Sequence, residues 1–233
     1  MVQCNLSIRA VGATITEAHT KLGCHELNVM FRSPSSGRAS LLRKLIHLSG
    51  TLIPAAGWLL SFWLALALAG ALLVVSLGLE AARRWWPWIN RLLWRLIPSV
   101  FREWENRRVL GSTWFTLGML ATLLLCGRDV GGTAVLFLAW GDPVAELTGR
   151  RWGRPGQGKT LAGSLGCLVA CLLAGAVGVY LGGLSPGVGL VGAVAATLVE
   201  RWSPPPDDNL WMPILSGLVM LLVQLGSGRL VIW

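Results

Sequence analysis

Seven stretches of this chain are apolar over most of their length, and short polar segments rich in arginine separate them. They are Leu45–Leu60, Phe62–Leu79, Val109–Cys126, Gly131–Leu147, Gly163–Leu184, Gly187–Val199 and Leu210–Gly226. A membrane-spanning helix needs about 20 predominantly apolar residues at about 1.5 Å each. The pattern therefore predicts an all-α, polytopic transmembrane bundle of about seven helices. The fourth and sixth stretches are short and glycine-rich, as tilted, closely paired or broken helices would be. Gly178 and Gly182 form a small-xxx-small pair suited to close helix packing.

Composition agrees with the pattern. Of 233 residues, 54% are hydrophobic and only 13% are charged, about half the share of a soluble domain. The polar segment 1–40 is expected to be a disordered tail, with Met30 as an alternative start, and 41–233 to form one membrane domain. Residues 1–29 lack the apolar run of a secretory signal. The five cysteines contain no CxxC pair, so neither a disulfide framework nor a zinc site is expected.

The formal charge of +9 lies in clusters between apolar stretches, which fits orientation signals better than a nucleic-acid surface. With the N-terminus cytoplasmic, Arg32, Arg38, Arg43, Lys44, Arg83, Arg84, Arg91, Arg95, Arg102, Arg107, Arg108, Arg150, Arg151, Arg154, Lys159 and Arg201 fall on the cytoplasmic side, leaving Arg128 and Arg229 opposite. The segment RRWWPWINRLLWRLIP mixes Trp85, Trp86, Trp88 and Trp94 with arginines and predicts an interfacial amphipathic element.

The acids share that side, although they contribute little to topology. Glu80, Glu103, Glu105, Asp142, Glu146, Glu200, Asp207 and Asp208 all map there, and Asp129 alone maps opposite. Asp142 and Glu146 in GDPVAELTG lie one helical turn apart on one face. Carboxylates held near the hydrocarbon are costly and mark a functional site. Directly after them GRRWGRPGQGKTLAGS supplies glycines, cations and the start of an apolar helix, a combination suited to polyphosphate. Its residues GRPGQGKT match the P-loop letter for letter, but the strand and α/β sheet that motif requires are absent from the pattern. Asp207, Asp208 and Asn209 stand at the start of the last helix, as an N-cap or as site residues. Lys44 and His47, spaced i and i+3, share a face at the start of the first.

Together RKLIHLSG, ENRRVLGSTWFTLG, GDPVAELTGRRWG, GKTLAGSLG and the Glu200 to DDNLWMP segment resemble, in order, the CTP-dependent lipid kinases that include dolichol kinase, phytol kinase and fungal diacylglycerol kinase. The resemblance covers about Arg43 to Leu215. It implies transfer of the γ-phosphoryl group of CTP, or another nucleoside triphosphate, to the hydroxyl of an isoprenoid alcohol or diacylglycerol within the bilayer, with Mg²⁺ or Mn²⁺. Carried onto this sequence, it implies catalytic roles for Asp142, Lys159 and Asp208, and metal contacts from Asp142, Glu146 and Asp208. Nucleotide contacts would come from Glu146, Arg150, Gly158, Thr160, Gly163, Ser164 and Asn209. Lys44, His47, Glu105, Arg108, Glu200 and Asp207 are further site candidates. Two other readings compete: a phosphatidate cytidylyltransferase making CDP-diacylglycerol, and a transporter. A transporter requires ionisable groups near the midplane, which this pattern lacks.

Overall fold

The computed structural model describes residues 36–96, 108–153, 158–202 and 204–228. Residues 1–35, most of the expected tail, lie outside them, as does Glu105. The chain divides into Met1–Arg38 and Ala39–Trp233; of the first unit only the opening of helix α1 is described.

Every described element is a helix: α1 Ser36–Ser49, α2 Leu52–Leu59, α3 Phe62–Trp85, α4 Pro87–Leu96, α5 Gly111–Trp152, α6 Leu161–Gly182, α7 Pro186–Trp202 and α8 Asp208–Gly226. Four of these, α3, α5, α6 and α8, are long and apolar enough to cross a membrane. The predicted first span differs from the structure. Leu45–Leu60 is divided between α1 and α2, and eight residues of α2 reach only about 12 Å. The break falls at Gly50 and Thr51, just before Pro54. Proline lacks the N–H that would bond the Gly50 carbonyl.

Helix α5 has 42 residues, which would measure about 63 Å if straight, twice a hydrocarbon core of about 30 Å. It is not straight. Gly127 takes φ 74° and ψ −168°, a conformation open essentially to glycine alone, and the chain reverses there. Beyond the reversal Gly131 lies so close to the first half that a Cβ on it would sit 3.0 Å from the Thr122 carbonyl oxygen and 3.1 Å from the Leu123 Cα. The third and fourth predicted spans are thus the two arms of a hairpin.

The second arm is the centre of the bundle. Val130, Ala134, Val135, Leu136, Phe137, Leu138 and Ala139 are fully or almost fully buried, as a helix apolar all round must be. Helices α3, α6 and α8 pack against α5, while α7 bridges α6 and α8. Gly178 fits beneath Thr133, and Gly182 beneath Trp58 and Asp129, so the predicted small-residue pair packs against α5 and α2. The outer surface keeps large apolar side chains exposed, among them Trp63, Val74, Leu173 and Leu222. Such a girdle belongs against lipid.

Candidate active site at one end of the bundle

Because the second arm of α5 is buried throughout, its continuation delivers Asp142 to the bundle end at 7% exposure. Helix α6 leaves from that end, α7 returns to it, and α8 starts there, so the connections bring the acids of three helix ends together. Pro143 and Pro213 lie inside α5 and α8. Pro213 has no N–H to offer the Asn209 carbonyl, and the first arm of α5 uses the gap: a Cβ on Gly118 would sit 2.6 Å from that oxygen. This close approach fixes the start of α8.

Lys159, in the connection before α6, places Nζ 2.6 Å from Glu200 Oε1 and 2.7 Å from Asp208 Oδ2. Burial pulls this ammonium toward neutrality, but the carboxylates of Asp208 and Glu200 outweigh it and hold the proton above the ordinary lysine range. Asp142 and Asp208 both lie near enough to Glu200 to repel its carboxylate. One lysine thus bridges two buried acids, and a third, Asp142, lies near Glu200. On its other side Asp142 Oδ2 stands 3.4 Å from His47 Nδ1, and the His47 ring rests on Phe115 with centroids 4.7 Å apart.

Glu146, one turn beyond Asp142, takes two arginines instead: Arg43 Nη2 at 3.2 Å and Arg150 Nη2 at 2.7 Å. Thr160 caps α6, its Oγ1 accepting from the Gly163 amide at 3.1 Å. Ser164 Oγ donates to the Thr160 carbonyl and accepts from Arg201 Nη1 at 3.2 Å. Gly158 borders open space, whereas Gly163 packs beneath the Ala145 carbonyl. Residues 154–157 of the glycine-rich connection lie outside the described residues. The element before this connection is helix α5, not a strand, as the rejected P-loop reading expects.

At the start of α8 Asp207 accepts from the Asn209 amide at 3.0 Å, the N-cap that the sequence allows. Asn209 is buried, and its side-chain carbonyl oxygen has no hydrogen-bond partner. Arg108 contributes its backbone carbonyl to the Arg83 guanidinium. Lys44 is half-buried on α1.

Three groups at this end escape the sequence reading. Arg43 reaches Glu146 where Lys44 was favoured; its i,i+4 spacing to His47 puts it on the same helix face and was the available signal. Arg201, adjacent to Glu200, reaches Ser164. Glu80 and Arg83, both more than nine-tenths buried, pair through two hydrogen bonds of 2.8 and 2.9 Å. Glu80 also accepts from Arg84 at 2.7 Å and from the Leu110 amide at 3.3 Å. This network clamps the end of α3 to the start of α5.

Among the described residues no three His, Cys, Asp or Glu side chains form a ready cage for a metal ion. Mg²⁺ ordinarily does not need one, since it binds through one or two carboxylates together with substrate phosphates. The donors present fit that mode: Asp142 and Asp208 offer hard oxygens, and the acids about Lys159 outnumber its single charge.

No family model matches the chain, and no solved structure matches it. Three curated proteins are similar to it. CTP-dependent diacylglycerol kinase 1 of Schizosaccharomyces pombe is 29% identical over 164 residues, covering 60% of this chain and 72% of the relative. CTP-dependent diacylglycerol kinase 1 of Saccharomyces cerevisiae is 27% identical over 177 residues, 63% of this chain and 60% of the relative. Phytol kinase of a Synechocystis species is 28% identical over 208 residues, 83% and 82% of the two chains.

Proposed function

We propose, from its similarity to two CTP-dependent diacylglycerol kinases and a phytol kinase, that this chain phosphorylates the hydroxyl of a membrane lipid alcohol with the γ-phosphoryl group of CTP. The acceptor class is an isoprenoid alcohol or diacylglycerol, and the site faces the cytoplasm. The observation that carries this reading is Lys159 paired with Glu200 and Asp208, with Asp142 near Glu200, at one end of an apolar bundle. A nucleotide reaches such an end from water, and a lipid hydroxyl reaches it from the headgroup layer. The excess of arginine and lysine on this side supports the cytoplasmic orientation.

In the reaction the acceptor oxygen bonds to the γ-phosphorus, the bond to the β-γ bridging oxygen breaks, and CDP leaves. Such a transition state needs positioning and neutralisation of charge more than covalent help. Lys159 supplies the cation for the transferring oxygens, exchanging part of its bonding to Asp208 and Glu200 for the phosphate. Arg43 and Arg150, held on Glu146, are forked donors suited to the remaining phosphates. A carboxylate of the cluster takes the proton of the acceptor hydroxyl. His47, against Asp142, orients that acid, and the α6 N-terminus adds its amide dipoles. Asp142 and Asp208 would hold Mg²⁺ or Mn²⁺, which would supply neutralisation of the nucleotide phosphate charge.

Purified protein in detergent, given γ-labelled CTP and Mg²⁺ with phytol, a polyprenol and diacylglycerol in parallel, tests the proposal. Label is expected in at least one lipid phosphate, and label in none of them rejects the reading.

A further inference from the structure

Helix α4, Pro87–Leu96, takes no part in the proposed chemistry, yet its exposed surface sets an apolar edge beside a cationic one. Trp88, Leu92 and Leu96 repeat at i, i+4 and i+8 and are 57%, 43% and 69% exposed. Arg91 and Arg95, also one turn apart, flank that edge, three residues on from Trp88 and Leu92, and are exposed. No acid occurs from Ala81 to Leu96, and among the described residues no carboxylate pairs with Arg91 or Arg95. Just before the helix, Trp86 leaves helical geometry at φ −118° and ψ 93°, so α4 breaks away from the α3 axis. The Glu80 network joins this end of α3 to Leu110, and α5 returns to the same end with Asp142.

We infer that α4 is a binding surface for anionic phospholipid headgroups in the leaflet on the Asp142 side. Its exposed apolar edge enters the boundary of the acyl chains, while the two unpaired guanidinium groups meet lipid phosphates, and Trp85 and Trp86 sit at headgroup depth. The occupant follows from charge: two fixed cations without an acid select a net-negative headgroup over a zwitterionic one. Each contributes about 1 kcal/mol at a membrane surface, so that two give a preference of roughly thirtyfold.

The test uses the whole protein in neutral detergent micelles containing equal amounts of phosphatidylglycerol and phosphatidylcholine with identical acyl chains. Native mass spectrometry counts the lipids retained. Wild-type protein is expected to hold phosphatidylglycerol in roughly thirtyfold excess, and the double variant Arg91→Gln/Arg95→Gln to hold both lipids about equally. Both arginines are exposed, so folding is retained, and Arg151→Gln, on exposed α5 surface, should keep the excess. Equal retention by wild-type protein overturns the inference, as does an excess that survives the double substitution or disappears in Arg151→Gln. Displacement of the lipid by inorganic phosphate also overturns it, by identifying a free-phosphate site.

Discussion

Lys159 and Asp208 are 49 positions apart in the chain and meet at 2.7 Å, across the entrances of two different helices. Neither belongs to the other's local structure, so the contact exists only because α6 and α8 begin at the same end of the bundle. Lys159→Ala removes the cation proposed for the transferring oxygens and is expected to lower kcat by about 10²–10³-fold. Asp208→Asn should lose a comparable factor. If the two act as a unit, the double variant is little worse than either alone. Steady-state rates of all three variants measure this, and fully additive losses contradict it.

The same pairing fixes a pH response. The folded-state proton affinity of Lys159 is raised above the unfolded value of 10.5. Its stabilisation is therefore fully present below that pH and is lost as pH rises through the higher folded value. The difference in unfolding temperature between wild type and Lys159→Met should stay constant from about pH 6 to 9. A difference that shrinks within this window would show that the ammonium is not held by the two acids.

Glu80→Gln should act on stability rather than on turnover. It leaves Arg83 buried beside a neutral amide, and breaking a buried ion pair from one side costs about 3–5 kcal/mol. A clear fall in detergent unfolding temperature is expected, with activity per folded molecule within about twofold of wild type. An unchanged unfolding temperature would remove the clamp between α3 and α5.

Gly127→Ala forces a side chain into the backbone conformation that reverses α5. The expected loss is about 1–3 kcal/mol, read from the same thermal assay, whereas Gly158→Ala, beside open space, should change little.

The acids that converge were legible in the sequence because Asp142 ends a run of uninterrupted apolar residues and Asp207–Asn209 begin another. Their partners were not. Glu146 and Asp142 share a motif and a helix face, and nothing in the spacing tells that one meets Arg43 and the other His47, over 90 positions away. That pairing depends on where α1 lies, and α1 is displaced from the expected single span by the break at Gly50. Glu80 was legible only as one of the acids on the cytoplasmic side. It is buried because Arg83 and Arg84, one turn on, neutralise it within α3, and Leu110 adds an amide that only the folded chain supplies. The apolar runs predicted an all-helical bundle, in which four described helices are long and apolar enough to cross a membrane, whereas the first run is divided between α1 and α2.

The position of the label in CTP separates the proposed kinase from its nearest rival. Purified protein with Mg²⁺ and a lipid acceptor would be run in parallel with γ-labelled and α-labelled CTP, beside Lys159→Ala. A lipid kinase carries γ-label into lipid, leaves α-label in CDP, and loses the lipid signal in the variant. Label entering lipid from the α-position, or undiminished γ-transfer by Lys159→Ala, would contradict the proposed phosphoryl transfer or its site.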